Sequence, residues 1–90
     1  MVRVRAVARG RVQMVGFRGF VQHHARDEDL RGTVRNLPDG TVEAVLEGSR
    51  AAVERVLERM RRGPTPARVE RLDVEELSAA GELPPLTVTA

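Results

Sequence analysis

The segment Gly32-Thr-Val-Arg-Asn-Leu-Pro-Asp-Gly-Thr-Val-Glu-Ala-Val-Leu-Glu47 lies near the middle of the chain and has the pattern of a β-hairpin. Two predicted strands, residues 32–36 and 41–47, flank the turn Leu37-Pro-Asp-Gly40. Proline supplies a φ of about −65° and glycine accepts a positive φ, as tight turns require. The segment therefore predicts an antiparallel pair of strands at the centre of the fold.

A helix is predicted on each side of this hairpin. The first covers about Arg18 to Asp29, and side chains recur there at helical spacing: Phe17, Phe20, Val21, His24 and Ala25. The second covers residues 50–62, where Ser49 is a suitable N-cap and Gly63-Pro64 ends the helix. Both helices have an apolar row that is expected to face the core.

Strands are predicted at both ends of this unit. Val2-Arg-Val-Arg-Ala6 alternates with a period of two, Val69 to Leu77 forms a later strand, and Leu86-Thr-Val88 is a short terminal strand. The order β-α-β-β-α-β is typical of an α+β, ferredoxin-like sandwich, a mainly antiparallel sheet with two helices on one face. We expect a single domain over residues 1–90.

Composition excludes several classes of protein. None of the 90 residues is cysteine, which excludes disulfides, thiolate nucleophiles and zinc–thiolate sites. No apolar run approaches the roughly 18–20 residues that cross a bilayer. The N-terminal segment lacks the apolar centre of a signal peptide. We therefore expect a cytoplasmic protein without a membrane partner.

The charge is distributed unevenly along the chain. All 15 basic residues are arginine, and the formal net charge is only +2, so the sequence pI of about 10.9 overstates the basic character. Residues 1–35 carry eight arginines against three acids, a net charge of +5, whereas residues 36–90 carry seven against ten, a net charge of −3. We expect the first third of the chain to meet any anionic ligand.

The segment Gly10-Arg-Val-Gln-Met-Val-Gly-Phe-Arg18 lies between a predicted strand and a predicted helix. Backbone N–H groups in a tight loop at a helix N-terminus can cradle an oxyanion, and Arg18 can add a bidentate contact to phosphate. From these residues alone, an anion site and a plain connection with a surface arginine both remain open. Asn36 lies just before the hairpin turn, where asparagine often has only a turn-forming role.

Two segments match the two signatures of a known enzyme family. The first signature, an apolar residue, any residue, Gly, any residue, Val-Gln-Gly-Val, any residue, Phe-Arg, is matched at Gly10, Val12, Gln13, Val15, Phe17 and Arg18. The second, which centres on a basic residue followed by Asn, is matched at Gly32, Val34, Arg35, Asn36, Gly40, Val42 and Gly48. On these residues the chain resembles the acylphosphatase family over nearly its whole length.

The resemblance implies hydrolysis of acyl phosphates to a carboxylate and inorganic phosphate, without a metal or other cofactor. It implies Arg18 and Asn36 as the catalytic residues, with Arg18 on the phosphoryl oxygens and Asn36 orienting the attacking water. The residues that it implies for binding the substrate phosphate are Gln13, Met14, Val15, Gly16, Phe17 and Arg18. The partner would be a small-molecule acyl phosphate rather than nucleic acid, and the protein would act as a monomer.

Met14 departs from the pattern, because the family has glycine after Val-Gln. If the position needs a positive φ, methionine carries a strain of about 1 kcal/mol or more. If the glycine instead gives the substrate room, the methionine side chain crowds the pocket. Either reason leads us to expect slower or more selective hydrolysis than in a relative that has glycine. Thr33 also replaces an aromatic residue of the second signature.

Two other functions stay open at this point. One is a non-catalytic ferredoxin-like module that binds anions or RNA, although the only two aromatic residues, Phe17 and Phe20, belong to a helix rather than a strand. The other is an acylphosphatase-like module that handles carbamoyl phosphate in a larger maturation protein. His23 and His24 diverge by about 100° on a helix, so we expect no metal site there.

Overall fold

The computed structural model describes residues 1–89, which form the elements β1 (Val2–Arg11), α1 (Phe17–Asp27), β2 (Arg31–Asn36), β3 (Val42–Gly48), α2 (Arg50–Arg62), β4 (Arg68–Leu77) and β5 (Thr87–Val88). The strands form one sheet in the order β4-β1-β3-β2-β5. Neighbouring strands are antiparallel except β2 and β5, which are parallel. Both helices pack on this sheet, which confirms the predicted ferredoxin-like α+β sandwich.

Alternation along β1 separates the two faces of the sheet. Val4, Ala6 and Ala8 are at most 5% exposed and belong to the hydrophobic core. The helices contribute the apolar rows that the sequence predicts: Phe17, Val21 and Ala25 from α1, and Ala52, Val53, Val56, Leu57 and Met60 from α2. The core therefore lies between one face of the sheet and the two helices.

The other face of the sheet carries ion pairs. Arg3 Nε donates to Glu47 at 2.8 Å, in a pair whose side chains are largely buried. Arg5 and Arg35 donate to the two oxygens of Glu43, at 2.6 and 2.9 Å. Burial opposes ionisation of Glu43, but these hydrogen bonds outweigh it and hold the pKa of that carboxyl below its usual range. Arginines from β1 and β2 are thus neutralised by acids of β3.

Strand β1 extends to Arg11, well past the predicted strand over residues 2–6. A bulge interrupts its pairing with β4 between Arg9 and Gly10. Gly10 has a φ of 123°, and a Cβ at this position would collide with the backbone carbonyl of Arg68. Pairing with the distant strand β4 therefore places Gly10 and Arg11 in the sheet, although the local sequence pattern predicts a loop for these residues.

Helix α1 ends at Asp27, two residues before the predicted end. Asp29 adopts a left-handed φ of 57°, its N–H bonds to the carbonyl of Arg26, and the N–H of Leu30 bonds to that of Ala25. These two hydrogen bonds form a Schellman motif, which satisfies carbonyls at the helix end. Helix α2, by contrast, covers residues 50–62 as predicted.

The short terminal strand is confirmed at Thr87–Val88, and it pairs in parallel with β2. Leu86, predicted as its first residue, is instead fully buried in the core. Ala90, the last residue of the predicted domain, lies outside the described residues. Within residues 1–89, no helix combines the length and the apolar character that crossing a bilayer requires.

Candidate active site

The β1–α1 loop, the start of α1 and the end of β2 surround a cavity of about 300 Å³. Its wall consists of Val12, Met14, Gly16, Phe17, Arg18, Gly19, Asn36 and Val88. Arg18 and Asn36, which the resemblance implies as catalytic, thus line one pocket although they belong to different elements. The pocket has the size of a site for a small ligand.

Helix α1 begins at this pocket without a side-chain cap. Its N-cap is Gly16, with a φ of 80° and a ψ of 16°, and no side chain among residues 1–89 bonds to the first turn. Glycine adopts this left-handed conformation without steric cost. The first N–H groups of a helix have no partner within the helix, and they lie at the positive end of its dipole. The start of α1 is therefore suited to an anion.

Arg18 and Gly19 lie in this first turn. Arg18 brings a positive charge to the pocket, and Gly19 leaves room there because it has no side chain. Arg18 is half-buried, and none of the ion pairs among residues 1–89 uses its guanidinium group. Its five N–H donors suit the oxygens of a phosphate. A Cβ added at Gly19 would meet nothing within 4 Å, so the pocket is open at this point.

Asn36 is the last residue of β2, and its side chain points a polar atom towards the protein interior. Its Oδ1 atom is buried, and among residues 1–89 it has no hydrogen-bond partner. A buried acceptor in this state costs about 1–3 kcal/mol, and such groups normally bond to water or a ligand. Because Asn36 also lines the cavity, its side chain is suited to accept a hydrogen bond from a molecule bound there.

Met14 lies at the rim of the cavity in a backbone conformation that favours glycine. Its φ is 63°, and its side chain is fully exposed. Left-handed backbone is uncommon for a residue other than glycine. Of the two reasons considered for the glycine of the family, the conformational one therefore applies at this position.

Two of the loop residues implied as phosphate ligands lie outside the cavity wall. The side-chain Nε2 of Gln13 donates to the carbonyl oxygens of Leu37 and Thr41, at 2.8 and 2.9 Å. Val15 is half-buried and packs against the hydrophobic core. In this arrangement, either residue meets a phosphate in the pocket only through its backbone N–H group.

Sequence reasoning missed three residues of the cavity wall. Val12 precedes the loop, and Gly19 is marked in the sequence only as a glycine inside a predicted helix. Val88 has no local signal, because it reaches the pocket by the pairing of β5 with β2.

Only part of the positive charge of residues 1–35 lies at the pocket. Arg3, Arg5 and Arg35 are paired on the open face of the sheet, and Arg9 donates to Asp73 at 2.8 Å. Arg18 is the arginine of this region that lines the cavity. The local charge count therefore overestimates the field at the pocket, since acids from later strands cancel much of it.

A second groove, of about 320 Å³, lies between the two helices. Its Arg55 makes two hydrogen bonds of 2.8 Å to the carboxylate of Glu28. Burial lowers the pKa of His24 in this groove, and the charge of Arg59 lowers it further. Among residues 1–89, no three His, Asp or Glu side chains are grouped to hold a metal ion. The groove has neither the open helix N-terminus nor the unpartnered amide of the first pocket.

The fold and the pocket define the class of protein: an α+β sandwich with a small-ligand pocket at the uncapped start of its first helix. A model of the acylphosphatase family matches residues 4–84. The chain belongs to the acylphosphatase family, and it is a hydrolase that cleaves the acid anhydride of acyl phosphates.

Individual relatives agree with this assignment. The chain is 45% identical over 80 residues to an acylphosphatase of Deinococcus radiodurans, and the matched region covers 89% of this chain and 92% of the relative. It is similar to the crystal structure of an acylphosphatase from Bacillus subtilis, with a TM-score of 0.95, 33% identity and full coverage of both chains. It is also similar to part of HypF from T. kodakarensis, with a TM-score of 0.86 and 34% identity over 12% of that chain.

The alternative of a non-catalytic RNA-binding module is not favoured. Phe17 is buried in the core, and Phe20 packs against His24 with ring centroids 4.6 Å apart. Both aromatic rings belong to α1, whereas RNA-binding sheets of this fold stack bases on aromatic side chains of their strands.

Proposed function

We propose that the pocket formed by the β1–α1 loop, α1 and Asn36 is the active site for hydrolysis of small-molecule acyl phosphates. In this proposal, the backbone N–H groups of residues 13–18 bind the phosphoryl oxygens together with the guanidinium of Arg18. Asn36 orients the attacking water, and no metal or other cofactor takes part. The observation that carries the proposal is the buried, unpartnered Oδ1 of Asn36 in the same cavity as the uncapped helix N-terminus.

The chemistry requires positioning and charge stabilisation more than a strong base. The water oxygen forms a bond to phosphorus while the bond between phosphorus and the carboxylate oxygen breaks, and a proton of the water passes to a phosphate oxygen. The carboxylate is a good leaving group. Negative charge spreads over the equatorial oxygens in the transition state, where Arg18 and the N–H groups of the first turn stabilise it. The acceptor atom of Asn36 holds the water in line.

The setting of this activity is also part of the proposal. We propose one domain over residues 1–90 that acts as a monomer in the cytoplasm and does not bind nucleic acid. The absence of cysteine from the sequence supports a reducing compartment. The ion-paired face of the sheet supports a monomer, because its charged side chains would have to lose water to enter an interface.

The test is release of inorganic phosphate from acetyl phosphate and benzoyl phosphate by the wild type and by two variants, Arg18→Gln and Asn36→Ala. We expect each substitution to lower kcat/KM by at least about 100-fold, as loss of a transition-state contact does. Arg61→Gln, an exposed arginine on α2, is the matched control and keeps wild-type activity. Full activity in both site variants would refute the assignment of this pocket.

A further inference from the structure

One side chain connects the phosphate loop to the hairpin that carries Asn36. The Nε2 atom of Gln13 donates to the carbonyl oxygens of Leu37 and Thr41, at 2.8 and 2.9 Å. Leu37 directly follows Asn36 in the chain, and Gln13 belongs to the loop that leads into Arg18. A side chain that lies outside the cavity wall therefore links the two sides of the proposed active site.

The two acceptors are also the atoms that close the hairpin turn. The N–H of Leu37 bonds to the carbonyl of Thr41 at 2.9 Å, and the N–H of Gly40 bonds to the carbonyl of Leu37 at 3.1 Å. The turn is held further by Asp39, which accepts hydrogen bonds from the N–H and hydroxyl of Thr41. Gln13 therefore bonds to a turn that several hydrogen bonds hold in place. Because Asn36 directly precedes this turn, the position of Gln13 constrains the position of Asn36.

These hydrogen bonds leave Gln13 without a side-chain donor for phosphate. A glutamine amide has two N–H donors, and both partners here are carbonyl oxygens, which only accept. Both donors are thus in use, and the remaining Oε1 is an acceptor that does not stabilise an oxyanion. Its position in the loop suggests a phosphate ligand, but the geometry assigns its side chain a different task.

We propose that Gln13 is a positioning residue, whose amide sets the place of Asn36 relative to the phosphate-binding start of α1. The inference rests on the proposed function of this pocket. In-line attack needs water and phosphorus at a defined separation and angle, and misplacement by about 1 Å can cost about 100-fold in rate. Without the link, the loop and the hairpin lose this direct connection and can shift relative to each other at the pocket.

The experiment compares kcat with phosphate affinity in Gln13→Met, which keeps the length of the side chain and removes both donors. We expect kcat on benzoyl phosphate to fall about 10- to 100-fold, while the inhibition constant of inorganic phosphate changes by less than about twofold. Gln13→Asn, which keeps the amide on a shorter side chain, should lower kcat in the same way. Gln22→Met, at the only other glutamine of the chain, is the control and leaves kcat unchanged.

A double variant decides whether Gln13 acts through Asn36. We expect Gln13→Met combined with Asn36→Ala to be no slower than Asn36→Ala alone, because the positioned group is already absent. Losses that multiply would overturn the inference, as would an unchanged kcat with a lower Tm in the Gln13 variants, or a weaker phosphate inhibition that matches the fall in kcat. Full activity of Asn36→Ala by itself would refute the proposed active site instead, and with it the role of Gln13.

Discussion

The two helices of this protein begin in opposite ways. Helix α2 starts at Ser49, whose Oγ accepts a hydrogen bond from the N–H of Ala52 at 3.2 Å. Helix α1 starts at Gly16, which has no side chain to offer, and its first turn faces the cavity with Arg18. A capped end contributes to stability, whereas an uncapped end keeps its N–H groups for a ligand. The difference between the two N-termini supports the proposal that α1, and not α2, binds the substrate phosphate.

The largest effect is expected from the substitution Gly19→Asp, which places a negative charge in the first turn of α1, at its uncapped N-terminus. A side chain fits there without a clash, and a carboxylate in the first turn stabilises the helix by about 0.3–1 kcal/mol. The same carboxylate competes with phosphate, so kcat/KM for acetyl phosphate should fall by about 100-fold or more while Tm rises. Gly19→Asn is the neutral control and should retain most of the activity. An active Gly19→Asp would mean that phosphate does not bind at this helix end.

A smaller effect, confined to stability, is expected at the capped end. Ser49→Ala removes the cap and should lower the free energy of unfolding by about 1 kcal/mol, which corresponds to roughly 4–8 °C in Tm for a domain of this size. At 25 °C kcat/KM should stay at the wild-type value, and we expect inorganic phosphate to raise the Tm of the variant and of the wild type by the same amount. Ser78→Ala, at an exposed serine outside the helices, serves as the control. A loss of phosphate stabilisation in Ser49→Ala would contradict the division between the two ends.

The smallest effect is expected at Met14, on the rim of the open end. Met14→Gly relieves a left-handed φ of 63°, worth about 1 kcal/mol, but adds about as much backbone entropy to the unfolded chain. Unfolding in denaturant should therefore show a net change within about 0.5 kcal/mol. Steady-state kinetics should show faster hydrolysis than the wild type, because a loop free of this strain binds the phosphate more readily. Equal rates would show that Met14 has no influence on turnover.

Local signals in the sequence predicted most of the fold and pointed to the two central residues of the proposed site. The helical spacing and the Ser49 and Gly63-Pro64 boundaries predicted α2 with its observed ends, and the hairpin turn predicted β2 and β3. The matched signatures pointed to Arg18 and Asn36, which the structure brings to one cavity. Periodicity, caps and turns depend on neighbouring residues, so they can be recognised before the tertiary structure is known.

The sequence by itself thus determined the order of the elements, the family and the pair of residues at the centre of the proposed site. Only the tertiary structure decided that β1 extends to Arg11, that Val88 completes the pocket and that Gln13 bonds to the hairpin. It also decided that the charges of Arg3, Arg5 and Arg35 are neutralised away from the pocket. The physical reason is the same in each case. These features depend on which distant strands become neighbours in the sheet, and that choice leaves no mark in the local pattern of residues.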